Sequence, residues 1–356
     1  MRRILLVLSF LLALPVASMG REKVILDTDM VELFDDGIAM VMLANSPKID
    51  LLGVVTVAGN TWAEEGTAYG VRQLEIIGRA DIPVAQGFVE PLRAGRLETL
   101  PLERQMFGIG PSKYVGAFGH ERPASWSAFY KKAYGKESPT RILEQHGADF
   151  IIEQVKKFPG EVTIAAIGPC TNVAFAIRKA PEIVPMIKRV IYMGGAFEVQ
   201  GNTTPSAEFN WWFDPEAAKM AVRAPFKEQI VVGLDVCEKV LFTKKQYEKL
   251  IGLPRGYPDL VRMFKERFDS RFAKDPKYRS FVWDLIVSAI LIDPTIVKEE
   301  KTEWIDVNSE YTVDYGRSLG YAKQGPAGTR KARIIFTIDE TKFWQMMYEL
   351  IQRPKA

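Results

Sequence analysis

Residues Val24 to Met40, VILDTDMVELFDDGIAM, constrain the fold more than any other stretch, because a short apolar run ends in Asp27 and Asp29 and a helical pattern begins at Asp35 and Asp36. Val24, Ile25 and Leu26 read as a buried strand, and Ile38, Ala39, Val41, Met42 and Leu43 continue at helical density after a loop. The four carboxylates therefore fall at the carboxyl end of a strand, the edge of an open α/β sheet where ligands bind. Aspartate at a helix start often serves only as a cap at the positive end of the helix dipole, and that accounts for Asp35 or Asp36 taken singly. It does not account for Asp27 and Asp29, since a charge that ends a buried strand gains nothing locally. Like charges brought together repel unless a cation neutralises them. The cluster predicts a site for a hard divalent ion.

The same strand, loop and helix unit recurs down the chain. Leu51 to Ala58 reads as a strand closing on Gly59-Asn60, followed by a helix over Gly66 to Ile77 and a short strand over Pro83 to Gln86. After a helix over Thr140 to Phe158, a strand over Val162 to Ile167 turns through Gly168-Pro169-Cys170-Thr171-Asn172 into a helix reaching Ile177. Arg189 to Met193 is the next strand, then a polar loop from Gly194-Gly195 to Asn210, a helix from Asp214 to Val222 and a strand over Gln229 to Leu234. Helices are expected over Tyr247 to Ile251, Leu260 to Phe272 and Phe281 to Ile292, the last opening on Trp283-Asp284. Ile305 to Tyr315 and Ala332 to Thr337 read as antiparallel edge strands, and Asp339 to Ile351 as a closing helix. Between Gly87 and Glu137 the periodicity lapses while aromatic residues accumulate, the pattern of a lid or binding loop. Such repetition predicts an α/β fold, a single domain over residues 21–356 around a largely parallel, Rossmann-like sheet with helices on both faces and its loops gathered on one edge.

A chain of 356 residues with 47% hydrophobic content can bury a large core. Its 47 basic and 44 acidic residues are well mixed and give a net charge of +3, without the basic stripe that nucleic-acid binding needs. The expected partner is a small molecule. At the N-terminus, Arg2 and Arg3 precede an apolar run from Ile4 to Leu14, then Pro15 and the small residues Ala17, Ser18 and Gly20. This is the layout of a cleavable signal peptide over residues 1–20, which predicts a secreted or periplasmic protein beginning near Met19 to Arg21. A membrane anchor is the other reading, but the run is shorter than the roughly 20 apolar residues a span requires, and no stable anchor is expected in the mature form. Cys170 and Cys237 are the only cysteines and read as buried singletons.

Seven motifs in order, DTDMVELFDD, TVAGNT, AQGFVEPL, AAIGPCTN, YMGGAF, GNTTPSAEFNWWFDPEAA and WDLIVSAILIDP, run through most of the mature chain. On these residues the sequence resembles the inosine-uridine type nucleoside hydrolases. The resemblance implies an α/β fold and Ca²⁺-dependent cleavage of the N-glycosidic bond of ribonucleosides to ribose and free base. It implies that Asp29, Asp36 and Asp284 ligate Ca²⁺ through carboxylates and Thr171 through its main-chain carbonyl. An all-oxygen set of this kind suits Ca²⁺, which takes about 6 to 8 oxygen ligands, and the two histidines, His120 and His146, match no zinc spacing with the cysteines. By the same resemblance Asp29 is the general base, Asp35 and Asn60 face the ribose 2′-hydroxyl, and Asn202, Glu208 and Asn210 face the 3′- and 5′-hydroxyls. Asp27 is expected just behind the site. Relatives are commonly dimers or tetramers, so a homo-oligomer is expected.

The sequence departs from the family pattern in two places. Val31 and Leu33 stand where a longer form of the loop has Gly and Asp, and Glu32 between them is expected to be solvated. Trp283 occupies the position where many members carry a His that protonates the leaving base, as it does in purine-specific members. Trp283 therefore implies a purine preference, with Trp62 or an aromatic of the Gly87 to Glu137 segment as a facing ring. Trp211 and Trp212 read as core. The alternative reading is an exported nucleoside- or sugar-binding protein of the same fold without catalysis, although binding alone does not need a carboxylate cluster.

Overall fold

The computed structural model describes residues 20–110 and 112–353. The signal peptide expected over residues 1–20 lies outside the described residues except for Gly20. Eleven strands are described: β1 Glu22–Thr28, β2 Ile49–Thr56, β3 Val84–Gln86, β4 Val162–Ala166, β5 Arg189–Met193, β6 Gln229–Val232, β7 Leu241–Phe242, β8 Ser280–Phe281, β9 Val297–Val307, β10 Ser318–Tyr321 and β11 Arg330–Ile338. The main sheet has the order β10-β9-β11-β6-β5-β4-β1-β2-β3. From β11 through β3 every neighbouring pair is parallel, while β9 runs antiparallel to both β11 and β10.

Alternation along the strands assigns the two faces. Val24 and Leu26 belong to one apolar cluster and Ile25 to the other, and Val54 and Val55 divide in the same way. On the first face lie α1 Asp36–Asn45 and α2 Ala63–Ile76, and on the second, after α3 Arg96–Phe107 and α4 Trp126–Tyr134, lie α5 Gly147–Lys157 and α6 Thr171–Lys179. The chain continues with α7 Phe209–Phe213, α8 Pro215–Arg223 on the second face, α9 Leu234–Cys237, α10 Lys244–Ile251 and α11 Pro258–Lys274. Two last helices, α12 Asp284–Ile292 and α13 Glu340–Leu350, cover the first face. Helix α1 has almost no polar side because it is enclosed: Ile38 through Leu43 are fully buried, and Ser288 on α12 donates to Ala39 O at 3.0 Å.

The strand order positions the site. After β1 the chain moves outward through β2 and β3, then returns to the other side of β1 for β4, β5 and β6, so the order reverses between β1 and β4. At such a reversal the connections leave in opposite directions and a crevice opens beyond the strand ends. Asp29 follows β1 there and Gly168 follows β4.

Several expected boundaries shift. The segment from Gly87 to Glu137 holds α3 and α4 and a 3₁₀ turn over Gly116–Gly119. Its sequence concealed them because α3 contains Pro101 and exposes Leu97, Leu102 and Met106, which blurs any single apolar face. Helix α5 begins at Gly147, capped by His146, and not at Thr140. The antiparallel strand expected over Ile305 to Tyr315 is β9, which starts earlier and ends at Val307, and β10 forms the edge beyond it. Its first half, VKEEKTE, alternates charge with little apolar content, so the run carries no hydrophobic signal. Cys170 and Cys237 are buried and unbridged.

Candidate active site

Asp29 sits where three segments close on one carboxylate. Asn60 N donates to its Oδ2 at 2.6 Å, and Thr61 Oγ1 donates to Met30 O at 3.0 Å, which ties the β1 and β2 ends together. A Cβ on Gly59 would lie 2.2 Å from Asp29 Oδ2, and one on Gly168 would lie 2.6 Å from Asp29 N and 2.9 Å from Oδ1. Glycine is required at both positions for backbone to approach the carboxylate this closely. Oδ1 is buried and has no protein partner. Burial pushes the Asp29 pKa up to about 7, against the Asn60 amide that favours the anion.

Asp36 opens α1 and Asp284 opens α12, two helices packed side by side. Thr28 Oγ1 donates to Asp36 Oδ1 at 2.5 Å, and Asp284 N donates to Asp35 Oδ2 at 3.4 Å. Carboxylate oxygens of Asp35, Asp36 and Asp284 all lie within 4.8 Å of one another, and all three residues are buried. Burial first, and then the neighbouring acids, push Asp36 and Asp284 well above the usual carboxylate range; burial also raises Asp35. Buried carboxylates this close cannot all ionise without a compensating charge. An all-oxygen donor set with an unpartnered Asp29 oxygen beside it fits a hard divalent cation. The grouping differs from expectation in one respect, for Asp35 joins Asp36 and Asp284 while Asp29 stands beside the trio.

Over this cluster lies a cavity of about 310 Å³. Asp35, Asn60, Asn202, Glu208, Asn210, Trp283 and Asp284 all line it, so every residue expected to bind substrate reaches one space. Glu208 caps α7, accepting from Gly195 N at 3.0 Å, Asn210 N at 2.8 Å and Trp211 N at 3.1 Å, and burial still raises its pKa to about 7. Asn210 Nδ2 donates to Ile167 O at 2.8 Å and Met193 O at 3.1 Å, leaving its buried Oδ1 without a protein partner. Asn202 Oδ1 accepts from Phe209 N at 2.8 Å. A larger cavity of about 590 Å³ beside α13 gathers no comparable group of acids.

Thr171 is not brought to this cavity. Its hydroxyl donates to Asp214 Oδ2 at 2.6 Å, and Asp214 in turn caps α8, so this threonine ties two helix starts together. The residue of that loop that lines the cavity is Ile167, with its carbonyl on Asn210. Asn172 holds Asp27 in place, donating to Asp27 Oδ1 at 2.7 Å and Thr56 O at 3.0 Å. Burial raises Asp27 to about 7 against this hydrogen bond. Trp62 is buried with its Nε1 on His120 O at 3.0 Å and does not line the cavity; Tyr114 is the aromatic that the long segment supplies, with its hydroxyl 3.1 Å from Asn60 Oδ1.

Sequence reasoning missed Phe34, Ser280 and Arg267 as cavity residues, and anticipated Tyr114 only as one of the aromatics of the Gly87 to Glu137 segment. Arg267 lies on α11 and its Nη1 donates to Glu32 O at 2.8 Å. Glu32 is half-buried, not solvated, because its carboxylate accepts from Tyr134 OH at 2.8 Å. Leu33 turns into the core with φ +67°, a left-handed conformation that costs a leucine about 1–2 kcal/mol, and Gln73 Oε1 accepts from its amide at 2.9 Å. Trp211 and Trp212 are fully buried, as expected.

A family model described as inosine-uridine preferring nucleoside hydrolase matches residues 24–345. The pyrimidine-specific ribonucleoside hydrolase RihB of Escherichia coli is 32% identical over 349 residues, covering 94% of this chain and 98% of that one. An uncharacterised protein of Schizosaccharomyces pombe is 31% identical over 343 residues, 93% of this chain and 99% of its own. Among solved structures, the plant nucleoside hydrolase PpNRh1 superposes with a TM-score of 0.76 at 25% identity, covering 94% of this chain and all of that one. A purine-preferring ribonucleoside hydrolase from Gardnerella vaginalis gives a TM-score of 0.73 at 25% identity over 93% of this chain and 98% of its own.

Proposed function

Because the chain belongs to the inosine-uridine preferring nucleoside hydrolase family and is a ribonucleoside hydrolase, we propose that it cleaves ribonucleosides with a preference for purines, using Ca²⁺ and Asp29 as general base. The observation that carries this reading is the convergence of Asp35, Asn60, Asn202, Glu208, Asn210 and Trp283 on one cavity that also holds Asp284. Asp29, Asp36 and Asp284, with Asp35 beside them, are the residues to hold the ion, which when bound lowers the pKa of water and neutralises the acids.

In this reading the ribose lies among the amides and carboxylates. Asp35 and Asn60 accept and orient the 2′-hydroxyl, and Asn202, Glu208 and Asn210 bind the 3′- and 5′-hydroxyls. Glu208 is fixed by three backbone amides, so its orientation is set before substrate arrives and binding costs little reorganisation. Asp29 takes the proton of the attacking water. Its anionic form, which a bound cation would favour, is the one that accepts a proton.

The purine preference rests on Trp283. Its ring lines the cavity, packed 5.3 Å from Phe281 between ring centroids, and a bicyclic base offers an indole more stacking area than a monocyclic one. Export in a secreted or periplasmic form and assembly as a dimer or tetramer belong to the same proposal, checked by the N-terminal sequence of the exported protein and its mass in solution. The central test is release of free ribose from a panel of ribonucleosides, with and without chelator. The proposal expects chelator-sensitive ribose release, fastest from inosine and guanosine; release that survives chelation, or that favours uridine, overturns the ion or the purine part respectively.

A further inference from the structure

Cleavage of an N-glycosidic bond sends the bonding pair to the base, so negative charge grows on a ring nitrogen as the bond breaks and must be met by the protein. Neither histidine is placed to meet it. His120 Nε2 lies 2.8 Å from Glu65 Oε2 and His146 Nδ1 accepts from Ala148 N at 3.2 Å to cap α5, and neither lines the cavity. The carboxylates of the cavity repel such charge. Among the described residues that line it, Arg267 is the only cation.

Resting on the nucleoside hydrolase reading above, we infer that Arg267 is the leaving-group residue, stabilising the departing base as an anion. It lines the cavity together with Trp283 and Ser280, which are left for the base once the ribose takes the amides and carboxylates. A guanidinium does not release its proton at physiological pH, so it acts through charge and its fork of N–H donors, which match the adjacent nitrogen and oxygen acceptors of a nucleobase edge. One of those donors, on Nη1, is engaged by Glu32 O, and this fixes the group at the mouth. Arg267 is exposed there in the free protein, so a bound base would itself remove water from the contact and strengthen it.

Water oxygen bonds to C1′, its proton passes to Asp29, the C1′–N bond breaks with its electron pair on the base, and the base leaves as an anion paired with Arg267. The free base then takes a proton from solvent, and Asp29 returns its own to solvent. A fixed cation beside the base opposes the other route, in which the ring is protonated before it leaves, because that route puts two positive charges side by side.

The test compares inosine with p-nitrophenyl β-D-riboside, whose phenolate leaves without help. In Arg267→Gln, kcat/KM for inosine should fall by about 10²-fold, the loss typical of removing one donor to a developing anion, while the p-nitrophenyl riboside changes by less than roughly threefold, and Arg267→Lys should recover part of the inosine loss. Equal losses on both substrates would make Arg267 only a tether for the Glu32 loop and overturn the inference, as would an unchanged inosine rate. Wild-type protein that releases ribose from neither substrate would refute the nucleoside hydrolase reading itself and this inference with it, whereas cleavage of both without a selective loss in the variant refutes this inference alone.

Discussion

The floor of the cavity and its mouth are built on opposite principles. The floor is Asp284, which lines the cavity, with Asp29, Asp36 and Asp27 buried at neighbouring strand and helix ends, and Asp29 is held by the Asn60 amide and by glycines at Gly59 and Gly168 that leave no room for another residue. The mouth is Val31, Tyr114, Arg267, Ser280 and Trp283, drawn from four separate segments and mostly half-buried or exposed. The floor gathers buried acids, each raised by burial, whose repulsion must be relieved by a compensating charge or by protonation. The mouth residues bring one cation and no carboxylate. The difference suggests a division of labour in which the floor sets what reaction is done and the mouth sets which base is accepted.

Disturbing the floor should therefore have the largest effect. Asp29→Asn removes the general base while keeping size and the Asn60 contact, and should lower kcat by about 10² to 10⁴ with the melting temperature nearly unchanged. A metal-replete Asp29→Asn enzyme with near wild-type kcat would assign the base elsewhere and dissolve the contrast. Glu32, the other acid of the loop that follows Asp29, is engaged by Tyr134 and would not replace it.

At the mouth the effects should be smaller and selective. Trp283→Ala is expected to lower kcat/KM for inosine by roughly 2- to 12-fold, the equivalent of about 0.5–1.5 kcal/mol of ring stacking, with less change for uridine. Measured as the ratio of the two substrates, an equal loss on both would place Trp283 among the packing residues. Tyr114→Phe should act mainly on KM, by about 2- to 10-fold, since it removes one hydrogen bond of 0.5–1.5 kcal/mol that orients the Asn60 amide; a change confined to kcat would mean that Tyr114 acts on the chemistry.

The same contrast explains what could be read from the sequence. Asp27 and Asp29 were legible because a charged residue at the end of VIL has no reason to be there except a site, and Gly59-Asn60 and Gly168 because each punctuates a strand. The parallel sheet followed from the same repeated unit. Arg267 was not legible: an arginine in PDLVRMFKERFDSRFAK looks like any other on a solvated helix, and only the packing of α11 against the Glu32 loop turns it to the cavity. Thr171, which the family resemblance assigns as a main-chain ligand, does not line the cavity; its hydroxyl is spent on Asp214, and the loop reaches the cavity through Ile167, whose apolar side chain gives no sign that its carbonyl matters.

The smallest predicted effect concerns stability rather than rate, and it isolates the floor. Burial raises Asp27 and Asp29 to about 7 in the folded protein, against ordinary values near 4 in the unfolded chain. Between those values the folded state binds more protons than the unfolded one, so stability is greatest below the unfolded pKa and is lost as pH rises through the folded pKa. Protein freed of divalent ions should therefore melt higher at pH 5 than at pH 8, by roughly 5 °C for a few kcal/mol in a chain of this size, in a window where exposed carboxylates are already ionised in both states. Added Ca²⁺ should remove most of the difference, because a bound cation stabilises the anions that burial disfavours. Asp27→Asn should reduce the slope without abolishing the response to Ca²⁺, and Arg267→Gln should leave both as they are. If the ion-free protein melts at the same temperature at pH 5 and pH 8, the floor is not under electrostatic strain, and the compensating charge that separates it from the mouth is not needed.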